Sequence, residues 1–195
     1  MIAGTIVSEE FNKGTIKLLL IKPHSRTKIL LSKFITVLIM IAFSIVAILG
    51  MELIVGGIIF GLDSLSIPIL EYNYNTNVLQ ELNIFVYLGI QIISQLPIII
   101  LLATLSFALS TIFTNSPVAI VIPLLGYMGT SIINQLAIQY NIGFLKYFVT
   151  LNWDFSQYLF GSMPLMEGLT PIFSLFICII YFFIMIIPTF IIFKK

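Results

Sequence analysis

"FITVLIMIAFSIVAILGMELIVGGIIF", residues 34–60, decides the fold. Glu52 is its single charge, and the run is longer than the about 20 apolar residues that carry a helix across a bilayer. Three more runs of the same kind follow. They cover roughly 84–113, with Gln91, Gln95 and Pro97 inside, then 117–136 and 171–193. None shows the short period-2 alternation of membrane β-barrel strands. The whole chain agrees: of 195 residues, 59% are hydrophobic and 9% charged, against about 25% charged in a soluble domain. The fold class expected is all-α, a polytopic membrane protein of about four crossings with outer loops at 61–83 and 137–170.

Lysine and arginine set the orientation. Lys13, Lys17, Lys22, Arg26, Lys28 and Lys33 precede the first crossing, and Lys194 and Lys195 follow the last. The loop at 61–83 carries Asp63, Glu71 and Glu81 and no base. Basic flanks stay in the cytoplasm, so both termini are expected inside a multi-pass plasma-membrane protein. "TNSP" places Asn115 or Ser116 at an N-cap with Pro117 in the first turn, where its missing N–H costs nothing. The second and third crossings then form a tight hairpin. "TP" at 170–171 repeats the device. Between the third and fourth crossings, Tyr147, Phe148, Trp153, Phe155, Tyr158 and Phe160 crowd one span. They read as short interfacial or re-entrant helices, or as an ordinary aromatic belt.

Several chemistries are excluded or weak. No G-x-x-x-x-G-K-[ST] phosphate loop is present, so this chain does not hydrolyse ATP by itself. His24 is the only histidine and Cys178 the only cysteine, which leaves no histidine-based triad, no metal set and no internal disulfide. No nucleic-acid-binding pattern appears, and the expected surroundings are the lipid bilayer. Glu52 reads either as a pathway-lining carboxylate or as one satisfied by a neighbour near the outer helix end. Gln91 and Gln95, four apart, share a helix face and either line a polar passage or bond across helices. Gly57 and Gly61 permit close helix packing.

Ahead of the first crossing lies the only densely charged stretch, residues 9–28. On a helical wheel Val7, Phe11, Gly14, Thr15, Leu18 and Leu19 share an arc, with Glu9, Lys13 and Lys17 opposite and Ile16 and Leu20 among those charges. Such a helix lies on a membrane surface or against another protein. Gly14 costs about 1 kcal/mol in a helix interior, Pro23 stops the helix, and Ser25 caps the next.

This stretch, "EFNKGTIKLLLIKPHSR" at residues 10–26, resembles the signature of type-2 ABC transporter permeases. The family's pattern E-x-x-x-G-T, then a leucine pair, then P-x-S-R falls on Glu10, Gly14, Thr15, Leu18, Leu19, Pro23, Ser25 and Arg26. The resemblance implies a cytoplasmic coupling segment over 1–33 that docks on a separate ATPase subunit, and a transmembrane domain over 34–195. It also implies a second permease subunit, in a homo- or heterodimer, with ATP and magnesium held by the ATPase rather than by this chain. Ile16 and Leu20 are then the apolar contacts for that ATPase, and no residue performs covalent chemistry. Members of that family have six crossings, so the resemblance also implies that two helices are missing before "MIAGTIVSEEF". A small immunity or regulatory membrane protein, whose basic segment binds anionic lipid, is the rival expectation.

Overall fold

The computed structural model describes residues 2–12, 25–113, 116–140 and 142–194. Helix α1 spans Ile2–Thr5 and α2 spans Ser8–Asn12. Four long helices follow: α3 Arg26–Phe60, α4 Ile84–Phe113, α5 Ser116–Gln139 and α7 Pro171–Lys194, with one turn of helix, α6, at Val149–Asn152. All four long helices are long and apolar enough to cross a membrane. The protein is an all-α polytopic membrane protein, as the composition requires.

Helix α3 has 35 residues, about 52 Å at 1.5 Å per residue, well beyond a hydrocarbon core of about 30 Å. Its first turns, carrying Arg26, Lys28 and Lys33, are therefore the surplus. Ser25 holds the N-cap position, but its hydroxyl meets Thr27 Oγ1 at 3.3 Å and caps no backbone N–H. At the same end the Arg26 guanidinium reaches the Lys194 carbonyl at 3.4 Å, where a cation suits the last orphan carbonyls of α7. The start of α3, the α4–α5 turn and the end of α7 thus share one end of the bundle, the basic end.

Helices α4 and α7 are central, while α3 and α6's neighbour α5 are peripheral: only 11% of the most apolar window of α3 or of α5 is buried, against 33% for α4. At the basic end Ala3 and Val7 pack with Leu30, Phe34, Val37, Phe107, Ile186 and Phe193. The Phe34 ring lies 5.2 Å from that of Phe107. Pro97, Pro123 and Pro188 sit inside long helices, a placement that membrane helices tolerate because neighbours re-satisfy the freed carbonyls.

The far end holds what hydropathy does not show. Residues 61–83 contain an antiparallel hairpin, β1 Ile69–Asn73 with β2 Val78–Leu82, in register Ile69 to Leu82 and Asn73 to Val78. The Asn73 side chain accepts from the N–H groups of Asn75 and Thr76, closing the turn. The Tyr74 N–H donates to Phe160 O at 2.8 Å, joining the hairpin to the segment before α7. There Phe160 and Gly161 both take positive φ, and a Cβ on Gly161 would lie 2.5 Å from the Asn75 side chain. Gly57 and Gly61 do not pair two helices: Gly57 faces Leu62, and Gly61 ends α3 at φ 82°.

Candidate functional site

Helices α1 and α2 form a strap across the basic end. Gly4 presses on α5 so closely that a Cβ there would lie 2.9 Å from Ile120 Cγ1 and 3.0 Å from the Ala119 carbonyl oxygen. Ser8 is fully buried: its N–H donates to Ser110 Oγ at 3.0 Å, and its hydroxyl donates to Gly4 O and lies 2.8 Å from Ser116 Oγ. Ser110 lies in the last turn of α4 and Ser116 opens α5, so two small hydroxyls fasten the strap to both helices. On the other side Lys33 of α3, only 8% exposed, donates to Ile6 O at 3.1 Å and pairs with the Glu10 carboxylate. The strap is thus fixed to α3, α4 and α5 at once, and it leads directly into the charged stretch.

Of the residues that the sequence assigns to coupling, Glu10, Ser25 and Arg26 are described. Glu10 is the anchor of the strap on α3, while Ser25 and Arg26 lie at the start of α3, Arg26 against the end of α7. Gly14, Thr15, Ile16, Leu18, Leu19, Leu20 and Pro23 lie outside the described residues. Ser8, Lys33, Ser110 and Ser116 were not among the candidates. Ser8 lies more than a hundred residues from Ser110 and Ser116, and Lys33 more than twenty from Ile6 and Glu10, separations that leave no local pattern.

The polar crossing residues converge. Glu52 of α3 and Gln91 and Gln95 of α4 line one recess of about 270 Å³ between the two helices. Gln91 Nε2 donates to the Tyr87 hydroxyl at 3.2 Å. Glu52 and Gln95 have no hydrogen-bonding partner among the described residues, so the neighbour expected to satisfy Glu52 is not one of them. The recess shares Ile45, Ile48 and Ile99 with an apolar groove of about 430 Å³ that continues toward Ala3 and Val37.

Short helical turns at Gly143–Tyr147 and Phe155–Gly161 flank α6, as the aromatic span leads one to expect. The segment dips between the long helices, where Trp153 packs with Leu101 and Cys178. Its pivot is Asn152, fully buried. The amide donates to Lys146 O and Phe148 O, both at 2.7 Å, and its oxygen accepts from Ser174 Oγ at 2.7 Å. Ser174 also meets the Tyr158 hydroxyl at 2.6 Å. Burial holds that phenol above its ordinary pKa, against the opposing pull of the Ser174 bond.

A polytopic helical membrane protein with a strapped basic end and a polar-ended groove is the class that this architecture defines. The chain belongs to the family described as "Protein of unknown function (DUF2705)", which matches residues 1–195. It is 36% identical over 197 residues to "Uncharacterized protein YhcI" of Bacillus subtilis (strain 168), covering 100% of this chain and 62% of that relative. It is 33% identical over 189 residues to "Uncharacterized membrane protein YdbK" of the same organism, covering 95% of this chain and 71% of that relative. No solved structure matches. These findings correct the resemblance to type-2 ABC permeases: the family that matches the full length is a different one. Eight positions spread over a short charged stretch do not define a family against a match over the full length.

Proposed function

We propose that this chain is the membrane-spanning subunit of an ATP-driven export assembly in which a separate soluble ATPase binds the charged stretch at the basic end. The reading rests on topology and on the strap. Displacing residues 13–24 loads α2, and α2 is fastened to α3 through Lys33 and to the α4–α5 turn through Ser110 and Ser116. A force applied at one surface segment therefore reaches three crossing helices together. That mechanical convergence is the observation that carries the proposal. Ile16 and Leu20, four apart in sequence among Lys13, Lys17 and Lys22, would give the partner an apolar hold of about 1.5–3 kcal/mol each when buried, with flanking charges setting register. A second copy of the membrane subunit covers part of the exposed apolar surface of α3 and α5, and the basic end faces the cytoplasm of a plasma membrane.

The test is purification of the tagged chain from its native membrane in mild detergent. A soluble protein with a phosphate loop should co-purify, and Ile16→Asp with Leu20→Asp should release it while leaving membrane insertion intact. If the double variant keeps its ATPase but loses affinity for anionic liposomes, the basic segment binds lipid and the regulatory alternative stands. Orientation is checked separately with an impermeant thiol reagent in a Cys178→Ser background. Thr76→Cys at the hairpin tip should label from outside and Lys28→Cys should not.

A further inference from the structure

The α3–α4 groove has the length, the wall and the polar end of a helix seat. It runs along α3 from Val37 to Glu52, about 22 Å at 1.5 Å per residue, which is four turns of a helix lying alongside. Ala3, Ser44, Ala103 and Ser106 are among its lining residues. Small side chains of this kind let a second backbone come close where no hydrophobic effect drives helices together. Ser44 returns its hydroxyl to Met40 O at 2.7 Å, so it presents little polarity to an occupant. Only the far end is polar, with Glu52 facing Gln91 and Gln95.

Glu52 identifies the occupant. A carboxylate inside a crossing helix is expensive and is found facing protein or water. Here it has no partner among the described residues, and lipid tails offer none. A donor carried on something that fills the groove would satisfy it.

We propose that this groove receives a further transmembrane helix, apolar over most of its length and carrying a lysine, arginine or amide donor at the level of Glu52. Its source is the polypeptide by which relatives such as YhcI exceed the matched region, since that region covers 62% of YhcI and 71% of YdbK. The proposal does not depend on the ATPase reading, because it concerns a face along the crossing helices and no nucleotide chemistry.

Cysteine cross-linking tests it. In a Cys178→Ser background, Ser44→Cys and Ile48→Cys stand in the groove, and Phe43→Cys stands on the opposite, exposed face of α3. Each is co-expressed in membranes with the part of YhcI outside the matched region, carrying single cysteines along its length. Where that part does not insert alone, it is joined in its natural order through a cleavable linker, and its retention after cleavage is measured. Ser44→Cys and Ile48→Cys should cross-link to it every third or fourth position, Phe43→Cys should give background yield, and Glu52→Leu should cut the groove yield several-fold. Equal yields on both faces, or cross-linking of Ser44→Cys to a second copy of this chain, would overturn the proposal. So would folded protein with no cross-link and no retention, the result expected of a lipid-filled groove.

Discussion

The backbone N–H of Ser8 donates to the hydroxyl of Ser110, 102 residues further along the chain, at 3.0 Å in a fully buried setting. Ser8 follows the first turn of the strap, where its own N–H lacks a helical partner. Ser110 lies in the last turn of α4, close to the start of α5 at Ser116. One hydroxyl therefore satisfies an orphan donor and ties the strap to the hairpin.

Ser110→Ala should leave that buried N–H unpaired at a cost of about 1–3 kcal/mol. Ser116→Ala should cost less, because the Ser8 hydroxyl still has Gly4 O at 2.9 Å. Denaturant titration in mild detergent, with protease cleavage near residue 12 as a second readout, would give the order. Equal effects would mean that Ser110 does not hold the strap.

Gly4→Ala tests the strap from its other face. The new Cβ would lie 3.0 Å from the Ala119 carbonyl oxygen and 3.1 Å from its carbon, and backbone has little freedom to yield. Overpacking of this kind typically costs about 1–3 kcal/mol. Gly50→Ala in α3 is the control, since nothing lies within 4 Å of its added Cβ. That variant should be neutral or slightly stabilising, as alanine replaces a mid-helix glycine. Comparable losses at both positions would rule out close packing as the cause.

How legible these features were depends on how local their causes are. The bounds of α4 coincide with the apolar run at 84–113, because hydrocarbon length is written in consecutive residues. Helix α3 begins eight residues before its apolar run, at Arg26. Lysine and arginine are good helix formers, and a hydropathy reading stops where they start. Helix α5 likewise continues past Leu136 to Gln139. The hairpin at 69–82 went unread although "EYNYNTNVLQEL" carries its turn residues between β-forming runs. Its alternation is short, five residues on each strand. Spacing puts Gln91 and Gln95 on one face of α4, and Glu52 stands on a different helix. Their convergence on one recess follows from how α3 and α4 face each other, which no spacing within a helix records. In the sequence Lys33 is one of six basic residues before the first crossing, and only the packing of α2 makes it a buried anchor.

At the far end, Asn152→Ala should be among the most damaging single changes outside the crossings. It removes both amide bonds, to Lys146 O and Phe148 O, and the acceptor for Ser174. Each buried group left unpaired costs about 1–3 kcal/mol. Thr150→Val should do the reverse, because the Thr150 hydroxyl is buried with no hydrogen-bond partner among the described residues. Replacing it with a methyl of similar shape removes an unpaired polar group and should be neutral or stabilising. Thermal unfolding monitored by Trp153 fluorescence reports both, and a Thr150→Val loss matching that of Asn152→Ala would show an uncounted partner for that hydroxyl.

The Lys33–Glu10 pair makes the sharpest prediction, because its two halves are not equivalent. The Lys33 side chain is 10% exposed and that of Glu10 is 28% exposed. Glu10→Leu leaves a desolvated ammonium with the Ile6 carbonyl at 3.1 Å as its remaining hydrogen bond. Lys33→Met leaves a carboxylate that can turn toward water, and methionine preserves much of the packing volume of the lysine stem. Glu10→Leu should therefore destabilise by about 3 kcal/mol, near the low end for a broken buried pair, and Lys33→Met by about 1 kcal/mol or less, the lost value of a partly exposed pair. Glu10→Gln should fall between them, keeping an acceptor without its charge. The double variant Lys33→Met with Glu10→Leu should recover most of the loss of Glu10→Leu, since the desolvated ammonium of Lys33 is gone. Denaturant titration of the four proteins, with trypsin cleavage of the basic segment reporting release of the strap, would expose this asymmetry. If the double variant loses the sum of the two single changes, the two residues act independently and their ion pair does not hold the strap on α3.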